Sequence, residues 1–156
     1  MSGGPSGGAW VGLWNEYQRV PITAFAQDSK SSWTWSTASW HEADASANNR
    51  VTFVLGNIED AALAATYICF GTQSGGQITQ VGIGYNSTST PFQGTFGQTP
   101  SGVAVASESA SVIGYGAIGL QYFQALEYTS STGAETFYGS GIGTGQTQQL
   151  SAWWRY

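Results

Sequence analysis

The sequence predicts an all-β protein, an antiparallel β-sandwich or jelly roll built from about eight strands. Runs rich in β-branched and aromatic residues recur at spacings of roughly 8 to 15 residues, and clusters of Gly, Ser, Pro or Asn separate them. We find no convincing helix between these runs, which argues against a βα fold. The length of 156 residues suits one domain that buries roughly two thirds of its unfolded surface.

The N-terminal segment differs in composition from the rest of the chain. Residues 1–8 are rich in Gly and Ser, which predicts a flexible linker or arm. We expect a single β-sandwich domain over residues 9–156. Residues 9–17 carry apolar side chains at spacings of three and four, as a short helix would. Gly12 and the lack of a capping residue favour a packed arm or a first strand instead.

Two strands are expected before the first polar loop. Residues 19–27 follow an alternating pattern that predicts a strand. Residues 30–40 contain Trp33 and Trp35, which share one strand face, with Thr34 on the opposite face.

A polar loop and two further strands follow. Residues 41–49 are polar and predict a loop, and residues 50–55 form a compact β-type run that ends at a glycine. Residues 63–71 are β-branched and aromatic, which predicts another strand. Cys69, the single cysteine of the chain, lies in this run, so we expect it to be a small buried apolar residue.

The next strand has glycine on one of its faces. Residues 78–85 predict a strand whose second face carries Gly82 and Gly84. Glycine at such positions implies the close approach of another backbone or ring. Residues 86–102 are rich in Ser, Thr, Pro and Gly and predict a long exposed loop.

The stretch 114–139 is the centre of the predicted fold. It begins as a long strand, turns at Gly133, and returns as a partner strand over residues 135–138, which together predict a hairpin. Two short strand-like pieces over residues 103–115 precede it, and residues 148–156 predict the last strand.

The long strand presents two different faces. One is mostly apolar, and we assign it to the core. The other carries Phe123 among polar side chains, a mixture typical of a strand that faces a second subunit or a ligand. The predicted core face consists of Leu120, Tyr122, Gln124, Leu126 and Tyr128, and the second face of Gln121, Phe123, Ala125, Glu127 and Thr129.

The charge balance excludes several classes of partner. Charged residues make up 8% of the chain and the formal net charge is −5, so no basic surface is available for nucleic acid. There is no apolar run long enough to span a bilayer and no signal peptide, so membrane insertion is not predicted. A surface of few charges and 14% aromatic residues is typical of proteins that pack against identical copies or bind sugars.

Residues that could carry catalysis are few. His41 is the single histidine, and its surroundings match no catalytic triad or nucleophile motif. The acid pairs Glu42 with Asp44 and Glu59 with Asp60 are more simply solvated residues than a glycosidase pair. We therefore predict that the protein is not an enzyme and needs no cofactor. Residues 42–49 offer oxygen ligands for calcium, but no Asp-x-Asp-x-Asp-Gly series orders them, so no metal site is assigned from the sequence and calcium stays an alternative.

Tryptophans near His41 are candidates for sugar binding. Trp33, Trp35 and Trp40 could stack on sugar rings, with Asp44 as a hydrogen-bond partner. The alternative is that these side chains pack between sheets or between subunits, as most strand tryptophans do.

Five short segments of the chain carry a resemblance: Trp33-Thr34-Trp35, residues 48–54, 81–88, 119–128 and 136–139. Together they resemble the carboxy-terminal β domains of tailed-phage virion proteins of the tail-fibre, head-fibre and decoration types. The resemblance implies a jelly-roll or tumour-necrosis-factor-like sandwich that assembles as a trimer on the particle surface. It also implies that Tyr122, Phe123 and Tyr128 line a three-fold interface between subunits.

The resulting functional expectation is a structural component of a phage virion, such as a head fibre, a capsid decoration protein or the head of a tail fibre. Its partners would be identical subunits and other virion proteins. The alternative is a receptor-recognition head that binds a host surface polysaccharide. Fibre proteins carry a long stalk before such a domain, whereas this sequence has only residues 1–8 there, as expected of a short decoration protein or of a head cut from a longer chain.

Overall fold

The computed structural model contains eleven strands and two short 3-10 turns within the residues that it describes. Those residues are 21–56, 62–72, 78–92, 96–98, 106–130, 135–139 and 148–155. The strands are β1 Pro21–Ala26, β2 Ser32–Trp35, β3 His41–Glu42, β4 Arg50–Leu55, β5 Ala62–Thr72, β6 Thr79–Tyr85, β7 Phe96–Gln98, β8 Ala106–Tyr115, β9 Gly119–Thr129, β10 Glu135–Tyr138 and β11 Gln149–Arg155. The 3-10 turns are Ala43–Ala45 and Ala47–Asn49.

The strands form two antiparallel sheets, which we call sheet A and sheet B. In sheet A, β5 is central, with β8 along one edge and β11 and β10 following each other along the other. β1 lies beyond β11, and β2 lies beyond β10. In sheet B, β9 is central, with β4 and β3 on one edge and β6, then β7, on the other.

The core lies between the two sheets, because alternate side chains of each strand point to the same side. Leu63, Tyr67, Phe123, Phe137 and Leu150 are almost fully buried there. Burial of each such side chain contributes roughly 1.5–3 kcal/mol to stability. The predicted all-β antiparallel sandwich is confirmed, with more strands than expected.

Most predicted strands in the described residues are confirmed within one or two positions. The prediction for 50–55 matches β4, and those for 63–71 and 78–85 match β5 and β6. The glycine face of β6 is also as expected. A Cβ on Gly82 would lie 3.0 Å from the Trp40 ring, and one on Gly84 would collide with the Ser87 carbonyl oxygen.

The region before the long strand differs from the prediction. β8 is one continuous strand, not two short pieces, because its serines alternate outward while Glu108 points inward and is buried. β7 lies inside residues 86–102, which were expected to be loop throughout. The residues 41–49, expected to be loop, contain β3 and both 3-10 turns.

The predicted hairpin over residues 114–139 is wrong. β9 lies in sheet B, whereas β10 crosses to sheet A and pairs with β2 and β5. Both edges of β9 are already occupied, by β4 and β3 on one side and by β6 on the other. A returning strand therefore finds its hydrogen-bonding partners in the opposite sheet.

The predicted orientation of β9 is reversed. Phe123, Ala125 and Glu127 are fully buried between the sheets, whereas Leu120 on the opposite face is 71% exposed. Of the polar residues on the inner face, Glu127 binds donors from sheet A, whereas Gln121 accepts from Tyr85 and Asn86 at the end of β6. The predictions for residues 1–8 and 9–17, including the domain boundary between them, lie outside the described residues.

Candidate functional site

A buried carboxyl group, that of Glu127, lies between the two sheets and binds side chains from sheet A. The indole N–H of Trp33 donates to Glu127 Oε2 at 2.7 Å, and the Tyr67 hydroxyl donates to Glu127 Oε1 at 3.0 Å. The Cys69 thiol lies 3.8 Å from the same Oε1. We call Glu127 and these three residues the Glu127 cluster.

Strand parity brings the cluster together. Tyr67 and Cys69 are two positions apart on β5 and therefore share its inner face. Trp33 occupies the inner face of β2, and Glu127 that of β9 in the opposite sheet. A carboxyl group has acceptor lone pairs on both oxygens, so one side chain of sheet B binds several donors of sheet A.

His41 lies beside the cluster. Its Nδ1 donates to the backbone carbonyl of Glu127 at 2.9 Å, and its Nε2 lies 3.8 Å from Glu127 Oε2. The His41 ring stacks on the Trp35 ring, with centroids 3.7 Å apart and an angle of 10°. The backbone N–H of Asp44, a residue with φ of 54°, also donates to Glu127 Oε2 at 3.4 Å.

Burial sets the protonation states of this pair. It raises the pKa of Glu127 to about 8, against the opposing effect of the hydrogen bonds from Trp33 and Tyr67. Burial likewise lowers the pKa of His41 to about 4. At pH 7 both groups are mainly neutral, so the 3.8 Å contact between them is not an ion pair.

The cluster has the chemistry of a structural anchor. Burial raises the pKa of the Cys69 thiol well above its usual value, so the thiol stays protonated and is a poor nucleophile. Burial also raises the pKa of Tyr67. All four cluster side chains are buried, and their polar atoms bind one another, the Asp44 backbone N–H and the Tyr138 carbonyl.

A second buried polar group lies close to the cluster. Gln148 Oε1 accepts from the backbone N–H of Asp28 at 2.9 Å, and Gln148 Nε2 donates to Asn49 Oδ1 at 2.8 Å. Asn49 Nδ2 donates in turn to Asp28 Oδ2 at 3.2 Å. This closed triangle joins the loop after β1, the second 3-10 turn and the start of β11.

The four predicted sugar-binding residues differ in exposure and in the groups that they contact. Trp33 is buried with its N–H on Glu127, and the Asp44 carboxylate is paired with Lys30 at 2.6 Å. Trp40 covers Gly82 on the outer side of sheet B. Trp35 is half-buried and stacks on His41. Trp33 and Trp35 share one face of β2, as predicted, but the four side chains do not present one platform.

The three predicted interface residues also lie apart. Phe123 is fully buried in the core, where its ring packs 5.2 Å from that of Phe53, so its assignment to a subunit interface is corrected. Tyr122 and Tyr128 are half-buried on the opposite face of β9. The Arg50 guanidinium lies 4.3 Å over the Tyr122 ring. A three-fold interface itself stays a prediction.

Large apolar side chains are exposed elsewhere. Ile113 and Tyr115 of β8 are each 77% exposed, on the outer face of sheet A. Leu120 of β9 and its cross-strand neighbour Val54 are exposed on the outer face of sheet B. The full set in the described residues is Phe25, Val54, Ile68, Ile113, Tyr115, Ile118 and Leu120.

Reasoning from the sequence missed both the Glu127 cluster and the exposed apolar side chains. The signal for the cluster was a glutamate, Glu127, in the middle of an aromatic and apolar strand. The signal for the exposed set was the parity of β8, where Ile113 and Tyr115 share a face with three serines.

The described residues hold no group of three or more His, Cys, Asp or Glu side chains that could bind a metal ion. The same part of the chain contains no helix of the length and hydropathy that a membrane span requires.

Comparison with protein-family models gives no match, and comparison with curated proteins gives none. Among solved structures, the chain is similar to part of dimeric latent PorU from Porphyromonas gingivalis, at 10% identity and a TM-score of 0.46. That match covers 88% of this chain and 13% of the PorU chain. A second similarity is to a chain of infectious bursal disease virus, Gx strain, at 12% identity and a TM-score of 0.24, covering 94% of this chain and 44% of the viral one. At these TM-scores neither similarity indicates a function for this chain.

Proposed function

We propose that this protein is a non-enzymatic structural component of a bacteriophage virion, which assembles as a homo-oligomer on the particle surface. One observation carries the assembly part. Large apolar side chains such as Phe25, Ile113 and Tyr115 are 67–77% exposed on the outer face of sheet A. Apolar side chains presented together on a rigid sheet are typical of surfaces that bind other proteins.

The low charge supports the same proposal. Charged residues form 8% of the chain, so identical copies repel one another little. Glu127 contacts His41, Tyr67 and Cys69 inside the sandwich, and burial alters the pKa of all four groups, which suits an anchor between sheets.

The virion part of the proposal is supported by the resemblance of short segments, such as residues 119–128 and 136–139, to virion β domains. The same resemblance supports trimers and contacts with other virion proteins. A sugar-binding head is less well supported, because Trp33 and Asp44 are bound to Glu127 and Lys30.

Light scattering after size exclusion, at two protein concentrations, tests the assembly part. We expect a stable mass that is a multiple of the 16.4 kDa chain. A monomer at micromolar concentration overturns it. Mass spectrometry of purified phage particles tests the virion part, and chymotrypsin suits the digest because aromatic residues far outnumber the four Lys and Arg. Particles that lack peptides of this chain overturn that part.

A further inference from the structure

The outer face of sheet A is a broad surface formed by β1, β11, β5 and β8. We define it by two rows of side chains that run across these strands. The first row is Thr23, Trp153, Ala64 and Ile113, and the second is Phe25, Ser151, Thr66 and Ser111. In the first row the large side chains are Trp153 and Ile113, and in the second row only Phe25 is large.

The centre of this face is a shallow groove. It has a volume of about 140 Å³, and its lining includes Ala64, Thr66 and Ser151, with Trp153 as the one large side chain. Small side chains at the centre allow another surface to approach the sheet closely.

The face carries almost no charge. Among the described outward positions of sheet A, Arg155 is the single charged residue, and its guanidinium lies 5.8 Å from the Trp153 ring centroid. By contrast, sheet B carries the pair Glu42 and Arg50 at its edge, 3.3 Å apart. When a face binds the same face of a second copy, charges of one sign meet charges of the same sign and repel each other. A neutral face avoids this repulsion and is therefore well suited to self-association.

We propose that the outer face of sheet A binds the same face of a second copy of this chain across a two-fold axis, which runs parallel to the strands between β11 and β5. This proposal rests on the homo-oligomer of the proposed function and names its contact surface. The two sandwiches then stack with their A sheets about 10 Å apart.

This axis places large side chains opposite small ones. It reverses each row, so Trp153 faces Ala64 of the second copy, and Thr23 faces Ile113. In the second row, Phe25 faces Ser111 and Ser151 faces Thr66. The two-fold axis makes each of these contacts occur twice. The Trp153 ring of each copy therefore enters the groove of the other copy.

The area is sufficient for a dimer of modest stability. Four strands about 4.8 Å apart, with an average length of roughly eight residues, give a flat footprint on the order of 500 Å² before side-chain relief is added. Stable interfaces bury about 800 Å² per partner, and weaker ones less. Ile113 and Tyr115, each 77% exposed, add side-chain relief at the β8 edge of this footprint.

Two matched arginine variants test the proposal. Thr66→Arg places a charge near the axis, next to its own copy, and should raise the dissociation constant on the order of 100-fold. Thr52→Arg makes the same substitution on β4 of sheet B, at an exposed outward position, and should leave association unchanged. Circular dichroism and thermal melting verify that both variants fold.

A second variant removes the large side chain without adding charge. Trp153→Ala should weaken association, and Leu120→Ala on sheet B should not. Dissociation constants from light scattering across a dilution series provide the measurement.

The outcomes separate this inference from the proposed function. A mass with an even number of chains that Thr66→Arg and Trp153→Ala reduce, and Thr52→Arg does not, supports the two-fold contact. An oligomer that persists in Thr66→Arg, or one with three chains only, overturns the two-fold contact. The proposal that the protein is a self-assembling subunit then still holds. A wild-type monomer overturns both.

Discussion

The indole N–H of Trp33 donates a 2.7 Å hydrogen bond to the carboxyl group of Glu127 across the interior of the sandwich. Trp33 belongs to sheet A and Glu127 to sheet B, so this bond joins the two layers directly. Tyr67 reaches the other oxygen of the same carboxyl group from β5. A core of mostly apolar side chains resists separation of its layers but fixes their register poorly, whereas directional hydrogen bonds fix it.

The stability of the protein should fall as the pH rises above neutrality. The pKa of Glu127 is raised in the folded protein to about 8 from an ordinary value of 4.5. The folded state therefore holds a proton that the unfolded state releases, and the free energy of unfolding decreases with pH across this window.

His41 has the opposite effect at lower pH. Its pKa falls to about 4 in the folded state from an ordinary 6.5, so it makes stability rise with pH between those values. The two effects oppose each other between pH 4.5 and 6.5. From pH 6.5 to 8 Glu127 acts alone, with an upper limit near ~1.4 kcal/mol per pH unit.

Urea unfolding of wild type and Glu127→Gln at a series of pH values measures this dependence. We expect wild type to lose about 1–2 kcal/mol between pH 6.5 and 8 and the variant to lose much less. Equal pH dependence in both proteins would show that Glu127 is ionised in the folded state at neutral pH.

Loss of the donor at position 33 should destabilise the fold. Trp33→Phe keeps a ring in place but removes the N–H, which leaves Glu127 Oε2 with one fewer donor. We expect a loss of about 1–3 kcal/mol in the free energy of unfolding. Urea denaturation with two probes measures it.

Trp35→Phe is the matched control on the same strand. The Trp35 N–H donates to the Thr37 carbonyl at 2.7 Å in an exposed position, where water replaces the lost bond. Its cost should be well below that of Trp33→Phe. Equal costs would mean that burial of the acceptor adds nothing to the Trp33 bond.

The sequence predicts the strands better than it predicts their partners. The runs that became β4, β5, β6 and β11 are visible because alternation and β-branched residues are local properties. The pairing of β10 is not local. It depends on which edges of β9 are already occupied, which no property of residues 114–139 reveals.

The orientation of β9 shows a second limit. Glu127 and Gln121 mark the inner face as polar by composition, yet both are buried. Burial of a carboxyl group is favourable only because Trp33 and Tyr67, roughly 60 to 90 positions away in sequence, provide donors. The Glu127 cluster could therefore not be predicted from the sequence of β9 alone. The glutamate in an otherwise apolar strand was the one local signal of it.

Gly84 should not tolerate a side chain. A Cβ at this position collides with the backbone carbonyl of Ser87, which cannot move without displacing the turn after β6. We expect Gly84→Ala to lower the free energy of unfolding by about 1–3 kcal/mol. Thermal melting measures the loss.

Gly82→Ala is the comparison for this prediction. A Cβ on Gly82 meets the edge of the Trp40 ring at 3.0 Å, and a side chain can rotate away where a backbone carbonyl cannot. We expect the smaller loss here. A larger loss in Gly82→Ala than in Gly84→Ala contradicts the assignment of the tight contact to Ser87.

Truncation of Trp35 should leave attachment to bacterial cells unchanged. Sugar binding by the tryptophans requires a platform, but Trp33 is buried and Trp40 lies against Gly82 on another face. Trp35 alone remains half-exposed near His41. Cell-binding assays with Trp35→Ala, after circular dichroism has shown that the variant folds, measure this directly. Loss of binding in a folded Trp35→Ala, with Leu120→Ala as the control that retains it, would favour the sugar-binding head over the assembling subunit, because one ring would then contribute recognition that no subunit contact requires.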